Sequence, residues 1–397
     1  MLEGVRILDL TWVLGGPYGS QLLAQLGAEV IKIEPLAGDL ARTIPPYFVD
    51  GDSSFFLSVN RGKRSLALDL KTSAGMEVLH DLVRASDAMV YNFAPGVPVR
   101  LGIDHAALLR INPRFSVGEL IGLHDEGEYR NAPAFDVVIQ ALAGTMDITG
   151  DHDGSPSRVG FQIADLAGGL FMALGLAGAL LRAYRTGAGQ YVQVSLLDAQ
   201  LALLTWQAQN YLVSGNVPVR TGARHPMIAP SDAFTGSDGA YFVISPTGEA
   251  FWQKFCTAID RDDLAADERF ATAGARIANV DALGEELAAL FRTKPAAAWL
   301  ELLEGHRVPA APINTVAEAL AHPLVALRGM LERVPRAGGA AVPFLGNPFK
   351  FAGAPDLAYP PHVGEHTTAI LRDVCGYDDA RIARLASEGA ISEGVPA

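Results

Sequence analysis

The start of the chain alternates short apolar runs with amphipathic ones. VRILDL (Val5–Leu10) reads as a strand. GGPYGSQLLAQLGA follows, a glycine turn and then apolar positions at Leu22, Leu23 and Leu26 in helical spacing, stopped by Gly27. EVIKIE (Glu29–Glu34) reads as the next strand, so the chain opens on a strand–helix–strand unit whose turn faces a helix N-terminus. Further strands are predicted at Arg64–Leu70, Asp87–Phe93 and Tyr191–Leu196, with a helix over Ser73–Ser86 between the first two. Alternation of this kind predicts an α/β fold with a parallel, Rossmann-like sheet.

A second pattern begins at IADLAGG. One carboxylate, Asp165, opens a run that stays apolar and glycine-rich until Arg182. We read the run as a buried helix, ending where Arg182 and Arg185 favour the dipole and Gly187 fits the C-terminal cap. A buried carboxylate is costly unless it is hydrogen-bonded, paired or used. Asp165 can therefore cap this helix, sit partly solvated, or do chemistry. After SLLDAQLALLTWQAQNYL the texture changes. GSDGAYFVIS reads as a hairpin, helices are predicted over Glu249–Ile259, Val280–Arg292 and Ala296–Glu304, and VPAAPINT is a proline-rich connection. These place a smaller domain at 225–320. Beyond Pro343 the sequence is turn-rich and closes with the helical GEHTTAILRDV and DDARIARLAS.

Composition narrows the class. With 397 residues, 49% hydrophobic and 19% charged, the chain can bury a large core. A net charge of -13 argues against nucleic acid and against an anionic membrane surface as partners. The most apolar stretch, Leu166–Leu181, is shorter than the ~20 residues of a spanning helix, so no membrane partner is expected. MLEGVRILDL lacks the pattern of a signal peptide, and Cys256 and Cys375 lie in no CxxC or metal-spaced cluster. We expect a cytoplasmic protein without a structural metal.

Several chemistries then compete. Glu34 at the end of the second strand resembles a ribose-binding carboxylate, but the preceding turn is LGGPYGSQ rather than GxGxxG, and Pro17 has no N–H for a phosphate. The cluster Arg61, Lys63, Arg64 and Lys71 is either a solvated loop or a phosphate clamp, with Arg42 and Arg100 as weaker additions. His362 and His366 have the HxxxH spacing, but their prolines and Gly364 argue against a zinc helix. No GxSxG elbow is present. At Asp165, Gly168 and Gly169 would let a ligand approach the backbone.

Seven blocks in order, from VRILDLTWVLGGPYGSQLLAQLGAEVIKIEPLAGD through NRGKRSLALDLKT, NFAPG, IADLAGGLFMALGLAGALLRAYRTGAGQYVQVSLLDAQLALL, RFATAGARIAN and VPAAPINTVAEALAHP to GEHT, resemble the class III CoA-transferases. This is the family of formyl-CoA transferase, carnitine CoA-transferase and α-methylacyl-CoA racemase, and the similarity covers nearly the whole chain. The resemblance implies that Asp165 is the catalytic aspartate. It implies that CoA, a thioester substrate rather than a resident cofactor, meets Arg42, Lys71, Tyr91, Asn92, Phe93 and Arg100. It also implies a homodimer of two interlaced rings. Each ring would join a large domain (1–200 and 343–397) to a small one (225–320) through linkers at 201–224 and 321–342.

Departures from the family pattern refine the expectation. Where the racemases carry a histidine, this chain has Phe135, in APAFD, and a phenyl ring transfers no proton. The glycine-rich segment before that stretch is replaced by GLHDEGEYR. Leu14 stands at the position of formyl-CoA transferase's glutamine, and TGARHPMIAP replaces that enzyme's glycine-rich loop, so formate and oxalate are expected to be poor substrates. The expected reaction moves CoA from an acyl-CoA donor to a small organic acid through a covalent aspartyl intermediate, with racemisation or isomerisation at the α-carbon as the alternative. An ionised Asp attacks a thioester without a general base. Oxyanion support is expected from the Gly168 and Gly169 amides. His124, Arg224 and His225 are candidates for the acyl pocket, with Arg224 suited to a dicarboxylate.

Overall fold

The computed structural model describes residues 1–392 and 394; residue 393 and residues 395–397, the end of the expected 343–397 segment, lie outside the described residues. The chain divides into two compact units. The first comprises Met1–Met146, Arg158–Asn216 and Ala326–Ala397, and the second Asp147–Ser157 and Val217–Val325.

The first unit is built on a seven-stranded sheet. Its strands are β1 (Arg6–Leu10), β2 (Glu29–Glu34), β3 (Lys63–Leu68), β4 (Ala88–Tyr91), β5 (Ser116–Ile121), β6 (Tyr191–Ser195) and β7 (Ile391–Ser392). The order is β7-β3-β2-β1-β4-β5-β6, parallel except for the antiparallel pair β7–β3. Near-continuous apolar sequence in the central strands fits a sheet covered on both faces. One face packs Leu79, Leu82, Ile370 and Leu385 against Leu8 and Ile31. The other packs helices α1 (Gly15–Gln25) and α4 (Ile163–Thr186) against Ile7, Val30 and Val90. Between them in the chain come α2 (Ser73–Arg84), which packs on the first face, and α3 (Asp136–Leu142). The strand order reverses between β1 and β4, and such a switch point opens a crevice at the strands' C-terminal ends.

α4 is 24 residues long, longer than the apolar run predicts, and it is the one helix among the described residues long and apolar enough to cross a membrane. Half of its most apolar window is buried, against α1, β5 and β6. Its crossing with α1 is unusually close because glycines meet there. A Cβ on Gly169 would stand 2.1 Å from the Gly15 carbonyl oxygen, and one on Gly19 2.5 Å from that of Gly169.

Ion pairs are buried beneath the sheet's crest: Lys63–Asp9 at 2.9 Å, Lys32–Asp39 at 2.8 Å and Arg42–Glu34 at 2.7 Å. A hairpin, 331–336 with 339–345, lies largely within the expected 321–342 linker; its Val334 and Phe344 pack on Ala41, Phe56 and Leu57.

The second unit holds an antiparallel sheet ordered 310–312, 241–244, 232–235. Helices at 249–258, 280–291 and 296–305 surround a core of Phe242, Trp252, Phe255, Phe291 and Trp299. The proline-rich segment read as a connection supplies the third strand.

Candidate active site

The site begins with the loop after β1. Lys32 Nζ donates to the Thr11 carbonyl at 2.9 Å and to Asp39 at 2.8 Å. The Val13 amide donates to Asp39 Oδ1 at 3.3 Å. Trp12 and Asn92 bond reciprocally, amide to Oδ1 and Nδ2 to carbonyl, both at 3.0 Å. Fixed from both sides, Val13 adopts φ 67°, a left-handed conformation that a β-branched residue rarely takes. The loop delivers Leu14 to the start of α1, where neither its own side chain nor, among the described residues, any acceptor satisfies the amides of Gly15 and Gly16.

Asp165 is the third residue of α4, in its first turn, and not the cap. The capping function comes from a different helix. Asp136 Oδ1 accepts from the Ala164 amide at 2.8 Å and the Asp165 amide at 3.4 Å, while Gln140 Nε2 holds Asp136 Oδ2 at 2.6 Å. The Asp165 carboxyl itself makes no hydrogen bond among the described residues. Burial, reinforced by the negative charge of Asp136, raises its pKa to about 6. The helix N-terminus therefore does not hold this carboxyl at its ordinary acidity, although it is still ionised at neutral pH.

Asp165 lines a cavity of about 400 Å³ at the crest of the sheet. Leu14, Leu120, Leu196 and Phe135 form apolar walls; His124, Tyr129, Arg130 and Asp136 are the other ionisable groups. A neighbouring cavity of about 620 Å³ shares Trp12 and Phe93 with it and carries Lys71 and Arg100. Among the described residues no group of His, Cys, Asp and Glu could hold a metal ion.

The structure thus brings Leu14, Asn92, Phe93, His124, Phe135 and Asp165 to one cavity and Lys71, Phe93 and Arg100 to the next. Other expectations are corrected. Arg42 is buried, its guanidinium bonded to Glu34, Asp52 and the Pro361 carbonyl, so it is not offered to a phosphate. Tyr91 lies in the core, stacked on Phe93. Arg61, Lys63 and Arg64 are not a phosphate clamp: they pair with Glu332, Asp9 and Glu29. Gly168 and Gly169 lie inside α4, where their amides serve the helix ladder. Gly169 allows α1 to approach, and Gly168 makes room for Leu120 and Leu196. Arg224 belongs to the second unit, bound to Asp232 at 3.2 Å and Asp281 at 2.6 Å beside a cavity of its own. His225, also in that unit, accepts from the Met227 amide at 3.1 Å.

Asp136 and Arg130 escaped the sequence reading. An Asp opening the helical VVIQAL run is a visible N-terminal signal, but its target, a helix 28 residues on, is not local. Arg130 stood in plain view in GLHDEGEYR, the segment that departs from the family pattern.

Comparison with known proteins shows the family. The chain is 41% identical to an acetyl-CoA:oxalate CoA-transferase of Acetobacter aceti, over 89% of this chain and 90% of that one. It is 39% identical to a succinyl-CoA:mesaconate CoA-transferase of Haloarcula hispanica, over 88% and 89%. A crystal structure of a CaiB/BaiF family protein from Brucella suis superposes with a TM-score of 0.83 at 37% identity, covering 94% of this chain and 99% of that one. Residues 2–367 match CoA-transferase family III, and the chain belongs to that family, as an enzyme of the acyl-CoA:carboxylate CoA-transferase type.

Proposed function

We propose that Asp165 is the nucleophile of this transferase and that CoA moves between acids through a covalent aspartyl intermediate. The observation that carries the reading is an ionisable carboxyl without hydrogen bonds, set among apolar walls beside a cavity with cationic groups. The Asp165 carboxylate attacks the thioester carbonyl, the C–S bond breaks, and CoA leaves as thiolate with a mixed anhydride left behind. The thiolate then either forms an aspartyl-CoA thioester, releasing the donor acid, or waits while the acceptor carboxylate attacks the anhydride. In either order the acceptor carboxylate attacks the Asp165 carbonyl, expelling CoA thiolate or the donor acid, and the thiolate then attacks the acceptor carbonyl of the new anhydride, which leaves CoA on the acceptor and Asp165 free. Apolar walls keep water from hydrolysing the anhydride. The unsatisfied amides of Gly15 and Gly16, where Gly15 abuts the Asp165 backbone, take the oxyanion role expected of Gly168 and Gly169.

Lys71 and Arg100 are the proposed contacts for CoA phosphates, with Asn92 and Phe93 along the path to the thioester. The substrates proposed are small dicarboxylic acids, the kind named in the relatives: oxalate, mesaconate and glutarate. Oxalate, expected from Leu14 to be poor, returns to the panel because the relative named for it is 41% identical. Racemisation is the weaker reading: Phe135 replaces the expected base, and the imidazole at the cavity, His124, has Nδ1 engaged by the Glu126 amide at 2.9 Å.

A homodimer in the cytoplasm is the proposed state. Leu170, Leu174, Leu181 and Tyr184 leave an apolar face of α4 exposed in the single chain, as do Leu212 and Val213 further on, which a second copy would cover. Two unpaired cysteines suit a reducing compartment. The deciding experiment is hydroxylamine trapping during turnover with a panel of acyl-CoA donors, followed by peptide mass spectrometry. A hydroxamate on Asp165, absent in Asp165→Ala, is expected; turnover without any Asp165 adduct, or an active Asp165→Ala enzyme, would overturn the assignment.

A further inference from the structure

Arg224, expected to receive a second carboxylate, is spent on Asp232 and Asp281, so another cation must play that part if the substrates are dicarboxylates. We infer that Arg130 binds the distal carboxylate of the acyl group, selecting dicarboxylic over monocarboxylic substrates; the inference rests on the proposed nucleophile at Asp165.

Three observations carry it. Arg130 lines the same cavity as Asp165, and it is the only arginine or lysine among the residues that do. Its guanidinium has no carboxylate within ion-pair distance among the described residues; Asp125, whose charge it feels, is hydrogen-bonded to Gln193 Nε2 at 3.0 Å. Finally, the exposed guanidinium packs over the loop at Gly96, where a Cβ would stand 2.7 Å from one of its terminal nitrogens.

The rest of the cavity fits the same ligand. Its walls near Asp165 are Leu14, Leu120 and Leu196, suited to a methylene chain between two carboxyl carbons. A guanidinium presents paired N–H groups that match a carboxylate's two oxygens. CoA phosphates are the other anion that could claim Arg130. Lys71 and Arg100 in the adjoining cavity already offer cations for them, and Arg130 does not line that cavity.

The test compares acceptors of equal carbon number, glutarate and pentanoate, with one acyl-CoA donor at saturation, in the full-length enzyme and in Arg130→Gln and Arg130→Lys. The native enzyme should prefer glutarate. The glutarate-to-pentanoate ratio of kcat/KM should fall about tenfold to a hundredfold in Arg130→Gln, the range of a lost charge-assisted hydrogen bond, and recover in part in Arg130→Lys. A native enzyme without preference, or an unchanged ratio in Arg130→Gln, would overturn the inference. So would equal losses for both acceptors with a raised KM for the CoA thioester, which would assign Arg130 to phosphate. Failure of the nucleophile reading shows separately, as absence of the Asp165 hydroxamate in the native enzyme.

Discussion

The carboxylate of Asp136 accepts the backbone amides of Ala164 and Asp165, at 2.8 and 3.4 Å, while its charge opposes ionisation of the Asp165 side chain. One group thus fixes where the helix of the proposed nucleophile begins and makes that carboxylate more basic. A more basic carboxylate is the better attacker, and at pKa about 6 it remains ionised at neutral pH. The acid limb of kcat/KM should accordingly fall near pH 6. Asp136→Asn retains a carbonyl oxygen for the amides and removes the charge. Because burial is the larger cause of the shift, the limb should move down by roughly half a unit rather than return to the ordinary carboxylate range. A pH–rate profile of both enzymes checks this; an unmoved limb would leave Asp136 with a purely structural part.

The same shift has a consequence for stability. The folded pKa of Asp165, about 6, lies above the unfolded value near 3.8, so between these values the folded chain binds more protons and stability falls as pH rises. Above pH 6 the ionised carboxylate costs the fold up to about 3 kcal/mol, from roughly two pK units. Asp165→Asn should remove that cost. Chemical denaturation should find the variant more stable than the native enzyme at pH 8, with the difference gone by pH 4, and inactive in CoA exchange at either.

How much of this was readable in advance follows from range. The strands and helices came from local periodicity, and β1 and β2 lie where VRILDL and EVIKIE put them, while α1 starts earlier than expected, at Gly15, because the glycines read as a turn form its first turn. β5 was missed because Gly118 and Glu119 break the apolar run of SVGELI, although both are inside the fold. Asp165 could be singled out because one carboxylate in an apolar stretch is a local anomaly. Its partner Asp136 could not, because the bond joining them spans 29 residues. The basic residues show the same limit. Arg61, Lys63 and Arg64 look free in sequence, and only tertiary structure brings Glu332, Asp9 and Glu29 to them.

The cations divide into a structural set and a proposed ligand-facing set, and substitution should separate them. Arg42→Gln strips a buried guanidinium from Glu34 and Asp52 and leaves their charges uncompensated, which typically costs about 3–5 kcal/mol. Lys71 and Arg100 are exposed and make no ion pair among the described residues, so Lys71→Gln and Arg100→Gln should leave the melting temperature within about 2 °C of the native value. They should instead raise KM for the CoA thioester several-fold, more at low salt than at high. Thermal melts and saturation kinetics on the three variants, at two ionic strengths, test the division; a wild-type melt in Arg42→Gln would contradict it.

Gly169 offers the sharpest test of how the site is held. The position is inside a helix, where alanine is ordinarily better than glycine by about 0.5–1 kcal/mol. Here the new Cβ would meet the Gly15 carbonyl oxygen at 2.1 Å and the Gly19 amide nitrogen at 3.2 Å, both backbone atoms that cannot rotate away. α1 and α4 would have to separate, and overpacking of this kind costs about 1–3 kcal/mol or more. Gly169→Ala should therefore be destabilised, against its helix propensity. Separation also carries Gly15, with its free amide, away from the Asp165 backbone it touches. The loss in kcat should then exceed that in KM, because in the proposed oxyanion role the amides of α1 act on charge that develops only during attack. Denaturant melts with steady-state kinetics on the folded fraction measure both. A stabilised Gly169→Ala enzyme with native kcat would show that the two helices do not depend on this contact.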